Sequence, residues 1–338
     1  MRPSSAVLTD TSVRLWDLVF PASRVLLART RAAYVHLDNL IAYSKRDRDA
    51  KVDAFLACYR PDETVLLFFL RGDLVNAAVF APIGRYPVAI AEALKHIKAE
   101  PERAEVVFHE GTAELLAAIY ATCVQTPEPL GVDPANPDHL FRSLAERRWS
   151  GVLELINGGR VNYVMVRDGR FANGAFAEQS DKDDPRAALA RIFQPTPPEV
   201  LPKVTARALP GLAAVPAQAT PALVQVFRQF VWDVAEAAER EMPGEGAKRA
   251  ERVRTKLAAQ HEALRSVGGA RGSASADPIC EPTHLADAVG ALMRDYLGEL
   301  EITHPGIAVR LVKDAGREQR YALAAVGFFE RLPWRIDW

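Results

Sequence analysis

Cysteine is scarce in this chain. Its three residues, Cys58, Cys123 and Cys280, are odd in number and far apart in a sequence of 338. That excludes a disulfide framework and fits a reducing compartment. Long apolar runs are also missing. The longest, Val65–Leu70 and Leu115–Tyr120, fall well short of the roughly 20 residues a membrane helix needs. The first ten residues lack the apolar core of a signal peptide, so the expected location is cytoplasmic. Net charge is nearly absent as well, with 42 basic and 43 acidic residues. Such a chain has no overall field to draw it onto nucleic acid or anionic lipid, and neither is expected as a partner.

Catalytic signatures are missing too. Gly268-Gly269 and Gly272 follow no buried strand and lack the Lys-Ser/Thr ending of a phosphate loop. Ser150-Gly151 is a strand start and not part of a Gly-x-Ser-x-Gly elbow. His109-Glu110 with Glu114 has no second histidine one turn on. Cys280 and His284 are half of a zinc set whose other half has no nearby ligands. Asp181, Asp183 and Asp184 lack the spacing and terminal Glu of a calcium loop. Lys45, Arg46, Arg48 and Lys51 interleave with Asp47, Asp49 and Asp53, which reads as a salt-bridged face. Arg71-Gly72-Asp73 spells an adhesion tripeptide but reads as a hairpin turn. No metal and no cofactor is expected.

What is present is a pattern of strands, turns and helices that occurs twice. Residues 13–34 read as helical, and Leu37, Leu40 and Ile41 stand at helical spacing. Val52–Tyr59, Val65–Leu70 and Leu74–Phe80 read as strands separated by the Arg60-Pro-Asp-Glu and Arg71-Gly-Asp turns. A helix from Pro87, a short strand at Val106–His109 and a helix at Thr112–Cys123 complete the unit. Residues 125–137, with four prolines, read as a linker. The order then recurs: a helix at Leu140–Leu144, a strand from Gly151, an Asn157-Gly158 hairpin turn, strands at Val161–Val166 and Phe171–Phe176, and a helix after Asp184-Pro185. At an offset of 97 residues Gly72 meets Gly169, Asn76 meets Asn173 and Ala78 meets Ala175. The second unit shows no closing strand.

Gly151-Val-Leu-Glu-Leu, followed by Val164-Met-Val-Arg-Asp-Gly-Arg-Phe-Ala-Asn-Gly-Ala, resembles the PATAN-type domain of bacterial regulatory proteins. Leu67-Phe-Phe-Leu-Arg-Gly-Asp-Leu-Val-Asn-Ala-Ala is similar. The likeness covers residues 35–193 and rests on strand order and small residues. It implies a non-catalytic module for protein contact in signalling, and it carries no catalytic residues.

Residues 195–221 hold seven prolines and read as an extended connection without regular structure. Helices follow. The first carries Leu223, Phe227, Phe230, Val234 and Ala238, the second Ala250, Val253, Leu257, His261 and Leu264, and the third runs from Leu285 to Leu297. A fourth is expected at Arg317–Phe329, and the Gly/Ser/Ala-rich Gly268–Asp277 is expected to be mobile.

The predicted architecture is therefore α+β, with tandem hairpin-plus-helix units and a helical C-terminal domain. The expected boundaries are 1–124, 125–137, 138–194, 195–221 and 222–338. The aromatic tail supplies the candidate interaction surface: Phe328, Phe329, Arg331, Trp334 and Trp338. The expected function is non-enzymatic regulation or scaffolding through a protein partner, a second copy of the chain included. The alternative is an enzyme or small-ligand sensor with a site drawn from scattered residues such as His36, Arg71 and His109.

Overall fold

The computed structural model describes residues 7–8, 13–43, 52–178, 184–194, 203–268, 271 and 275–338. The basic cluster at Lys45–Lys51 and the acidic pair Asp181 and Asp183 lie outside the described residues. The fold is α+β, and it divides into two compact units, Met1–Val88 with Ala93–Val215, and Ala89–Glu92 with Pro216–Trp338.

Up to Val215 the elements run β1 (Arg24–Arg31), α1 (Leu37–Tyr43), β2 (Ala54–Tyr59), β3 (Thr64–Leu70), β4 (Asp73–Ala81), β5 (Gly84–Val88), α2 (Ile90–Lys98), β6 (Glu105–Glu110) and α3 (Ala113–Val124). They continue as α4 (Pro137–Glu146), β7 (Gly151–Asn157), β8 (Arg160–Arg167), β9 (Arg170–Ala175), α5 (Pro185–Ile192) and β10 (Thr205–Pro210). Two antiparallel sheets result, ordered β1-β6-β2-β3-β4-β5 and β10-β7-β8-β9.

The same contacts recur 97 residues apart. The β3–β4 turn places Arg71 and Gly72 at φ 49° and 79°, and the β8–β9 turn places Asp168 and Gly169 at φ 49° and 73°. This is the paired left-handed geometry of a tight hairpin. The Arg71 amide donates to Asp53 Oδ1 at 2.7 Å, and the Asp168 amide donates to Ser150 Oγ at 2.9 Å. The Gly72 amide donates to the Val52 carbonyl, and the Gly169 amide to the Trp149 carbonyl. Register slips between Phe68 and Phe69 in one hairpin and between Met165 and Val166 in the other. Next to each slip an asparagine accepts from the following amide, Asn76 from Ala77 and Asn173 from Gly174. At Gly169 a side chain is also excluded by space, because an added Cβ would meet the Leu144 carbonyl at 2.7 Å.

The second copy does have a closing strand, contrary to the sequence expectation. β10 pairs with β7 (Pro210 opposite Gly151, Thr205 opposite Ile156) as β6 pairs with β2 (Glu110 opposite Ala54, Glu105 opposite Tyr59). The proline-rich connection thus contains regular structure. Thr205–Leu209 is free of proline, and Pro210 occupies the last position, where an edge strand tolerates it.

Equivalent faces of the two sheets share one core. Phe55, Tyr59, Leu66, Phe68 and Ala78 lie in a single buried cluster with Val152, Ile156 and Tyr163. Within that cluster Glu154 occupies the face that Val152 and Ile156 define, and Arg85 of β5 reaches it at 2.6 Å. Their side chains are 0% and 2% exposed. The opposite face of the smaller sheet, with Leu153, Leu155 and Val164, is covered by Leu140 and Leu144 of α4 and by Ala188 and Ile192 of α5. Asp184 caps α5 by accepting from the Arg186 and Ala187 amides.

Residues 13–34 are not helical. Leu15–Asp17 and Ala32–Tyr34 are short 3₁₀ turns, and Arg24–Arg31 forms β1. Pro21 has no amide to continue a helix, and β6 offers an open edge to the segment beyond it. Leu15, Leu18 and Phe20 enter the shared core instead. Phe20 packs edge-on to Phe55 and Phe80, with ring centres 5.9 and 5.6 Å away. The β7–β8 turn falls one residue later than read, at Gly158-Gly159 with φ 58° and 86°. β5 was not anticipated, since it is short and contains Pro87.

Beyond Pro216 come α6 (Pro221–Glu241), α7 (Gly246–Leu257), α8 (Pro282–Thr303), α9 (Ile307–Gly316) and α10 (Arg320–Ala325). The expected fourth helix at Arg317–Phe329 is present in shorter form as α10, and α9 before it was not expected. Ile307-Ala-Val-Arg-Leu-Val is rich in branched residues and follows Pro-Gly, so its helical face was masked. Two corners share one design. After Pro243 and Pro305, Gly244 and Gly306 take φ 83° and 81°. In each case a glutamate of the preceding helix accepts amides of the next one: Glu239 from Gly244 and Ala247, Glu301 from Gly306 and Ala308. Those donors hold both carboxyls below the usual range. In the segment expected to be mobile, Arg228 grips Ser275, Ala276 and Asp277 as well as Ser266. Among the described residues no helix is long and apolar enough to cross a membrane.

Removing Glu154 takes away the carboxylate that faces the buried Arg85 guanidinium. Glu154→Leu is expected to cost about 3–5 kcal/mol in urea unfolding, and Arg85→Met with Glu154→Leu is expected to cost less than the sum of the single changes. Strict additivity would show that the two side chains do not interact.

Candidate functional site

The helices after Pro216 place the five tail residues in different settings. Phe328 is core: it is 0% exposed, with its ring 5.5 Å from Phe227 and 5.1 Å from Phe230, both edge-on. Its place in the expected surface is therefore corrected. The cause is Gly327, whose φ of 65° turns the chain inward after α10. Arg331 ties the tail to α8, pairing with Asp287 and donating to the Val326 and Gly327 carbonyls. Trp334 is half-buried against the helical core. Phe329 is half-buried and meets Trp338 edge-on at 5.3 Å. Trp338 is 50% exposed. The surface part of the candidate is thus Phe329, Trp334 and Trp338, with Arg331 beneath it as a clamp.

A second polar constellation, which sequence reading missed, lies between the sheets. Glu154 receives Arg85 at 2.6 and 2.8 Å and the Tyr163 hydroxyl at 3.2 Å, with Arg207 of β10 at 3.9 Å. The Arg85 guanidinium also lies 4.6 Å over the Phe80 ring. Cys123 is buried nearby, and burial pushes its thiol up to about 12 against the pull of Arg85. Burial and then Glu154 push the Tyr163 phenol up as well. A thiol held neutral in this way is no nucleophile, and Arg85 and Glu154 are almost wholly shielded from solvent. One signal in the sequence could have found the pair. In Val152-Leu-Glu-Leu-Ile the alternation points Glu154 to the same face as Val152 and Ile156, so its charge needed a partner.

His36, Arg71 and His109 do not share one cavity among those described. His36 borders a cavity of about 390 Å³ with Leu37, Ile97 and Val106, and neither Arg71 nor His109 lines it. Arg71 stands in the hairpin turn. His109 is 9% exposed on β6, edge-on to Phe55 at 5.2 Å, with its Nδ1 buried and without a hydrogen bond. Burial lowers its pKa to about 4. Glu110 is engaged by Arg24 at 2.7 Å. Cys280 and His284 both line a cleft of about 720 Å³ with His261, Arg265 and Asp287. The Cys280 thiol is pushed up to about 11 by burial and then by Glu281. Among the described residues no three His, Cys, Asp or Glu side chains are grouped to hold a metal ion.

No family model matches the chain, and comparisons with curated proteins and with solved structures find no match.

Two measurements follow from these placements. Phe328→Ala should lower unfolding free energy by about 3–5 kcal/mol, as a large buried ring does, while Trp338→Ser should cost about 1 kcal/mol or less; equal losses would contradict the placement. His109 has a folded pKa below its unfolded one. Its stabilising effect is therefore complete above pH 6.5 and declines as pH falls toward about 4. In His109→Leu the drop in stability between pH 7 and pH 4 should shrink by up to about 3 kcal/mol. An unchanged pH profile would remove His109 from the acid response.

Proposed function

We propose that this protein is a non-enzymatic regulatory or scaffold component of bacterial signalling. It acts through contact with a protein partner, in the cytoplasm, using the C-terminal aromatic surface. The observation that carries the reading is Trp338. Its ring is half-exposed yet backed by Phe329, so a large apolar and hydrogen-bonding surface is presented at low cost in side-chain freedom. Trp, Tyr and Arg are the residues that most often anchor protein interfaces. The PATAN-type likeness supports the signalling role, and the contacts that recur between Asp53–Ala78 and Ser150–Ala175 are what a tandem module of that kind would have.

Three of the four sheet edges support the tail over the strands as the docking element. β5 carries Pro87, β1 has two register shifts, and Glu128 bridges to Ala208 on β10. Such features discourage strand addition.

A second reading, a small-ligand sensor, is favoured by the 720 Å³ cleft with His261, Cys280 and His284, which lies within the size range of ligand pockets. The readings separate by mutation. The intact chain, tagged at its N-terminus, should recover a partner from its native host or self-associate in light scattering, and Trp338→Ser should weaken that contact at least tenfold with unchanged folding. Deletion of Phe328–Trp338 is the wrong test, because Phe328 belongs to the core. If the intact chain neither self-associates nor recovers a partner, the reading fails.

A further inference from the structure

The dipeptide Asn-Gly occurs twice in this chain, at Asn157-Gly158 and Asn173-Gly174. An asparagine followed by glycine can react with its own backbone, because no Cβ keeps the following nitrogen away from the side-chain carbonyl. By sequence the two are alike, but their settings in the fold differ.

Asn157 is half-buried in the β7–β8 turn, and its Nδ2 donates to the Ile192 carbonyl at 2.7 Å. That bond holds the amide group that would have to leave. Asn173 is exposed on β9. The Gly174 amide donates to Asn173 Oδ1 at 2.8 Å, which brings its nitrogen beside Cγ, the carbon it would attack. Close, oriented reacting atoms are what make an intramolecular step fast. β9 is the end strand of its sheet, paired with β8 alone, and the register slips next to Asn173. Such a strand opens locally at lower cost than a central one. Packing also fixes glycine at 174, since an added Cβ would strike the Phe176 ring. Asn76, the counterpart 97 residues earlier, makes the same contact to the Ala77 amide at 2.7 Å. It is 1% exposed, its side chain also hydrogen-bonds Tyr120, and the next residue carries a Cβ.

We infer that Asn173 is a site of spontaneous deamidation, giving aspartate and isoaspartate. The Gly174 nitrogen gives its proton to solvent hydroxide and attacks Cγ. The N–Cγ bond forms, the Cγ–Nδ2 bond breaks, and Nδ2 takes a proton from water and leaves as ammonia. Water then opens the cyclic imide at either carbonyl. Opening at the side-chain carbonyl leaves aspartate. Opening at the main-chain carbonyl leaves isoaspartate, whose backbone runs through the former side-chain carbon. Either product adds one negative charge to β9. Aspartate can still accept from the Gly174 amide, whereas isoaspartate lengthens the strand and disturbs its pairing with β8.

The test incubates the full chain at mildly alkaline pH, folded and, in parallel, unfolded in guanidinium. Trypsin places the three asparagines on separate peptides, 72–85, 149–160 and 171–182, and mass spectrometry follows each conversion from amide to acid. Enzymatic methylation of isoaspartyl carboxylates reports the second product. In the folded chain Asn173 should convert at least about tenfold faster than Asn157 or Asn76, and in guanidinium the two Asn-Gly sites should convert at similar rates. Asn173→Ser cannot form the imide, while its hydroxyl can still accept from Gly174. This variant should lose the acidic form of the folded chain and keep its melting curve. Equal rates at Asn157 and Asn173 in the folded chain, or conversion of Asn173 only after unfolding, would overturn the inference. So would an undiminished acidic form in Asn173→Ser.

Discussion

Glu154 lies in the core between two sheets, and Arg85 reaches it from a strand of the other sheet. Removing two charges from water costs several kcal/mol per ion, so the pair persists only where geometry and extra hydrogen bonds offset that cost. Here the second Glu154 contact of Arg85 and the Tyr163 hydroxyl supply them, and the Arg207 charge lies 3.9 Å away. A buried pair of this kind permits few alternatives, because sliding one sheet by a residue would strand both charges. The pair is thus satisfied only in the arrangement in which these apolar faces meet.

The pair also marks where two like halves differ. At the same place in the first copy, Ala57 stands opposite Val107; in the second, Glu154 stands opposite Arg207. The hairpins keep the same turn, the same slip in register and the same capping contacts because these follow from backbone geometry. The facing positions differ because the two inner faces must complement each other. Equivalent surfaces of the two sheets thus enter one buried cluster, together with α3.

The helices after Pro216 are built on a different constraint. Phe328 closes the core against Phe227 and Phe230, and Arg331 fixes the tail to α8 through Asp287. With those two residues spent on structure, the remaining rings are held at the surface with little freedom. Trp338 then packs against Phe329 and beside Gly316.

Much of this was legible in the sequence. Strands β2–β4 and β7–β9 show themselves by branched residues and turn chemistry, and the long helices by their apolar spacing, because local geometry and burial act at every residue. The offset of 97 residues was visible in Gly72 and Gly169, since only a tight turn demands glycine there. Other features depended on partners distant in the chain. β1 reads as helix until β6 offers it an edge. β10 hides among prolines until β7 needs a neighbour. Phe328 and Trp338 look alike as tail aromatics, and only packing makes one core and the other surface. The sequence by itself determined the elements and their doubled order, through preferences that act over a few residues. The tertiary structure alone decided which faces meet, which charges are buried together and which rings remain exposed, because those outcomes rest on contacts between segments that no local pattern relates.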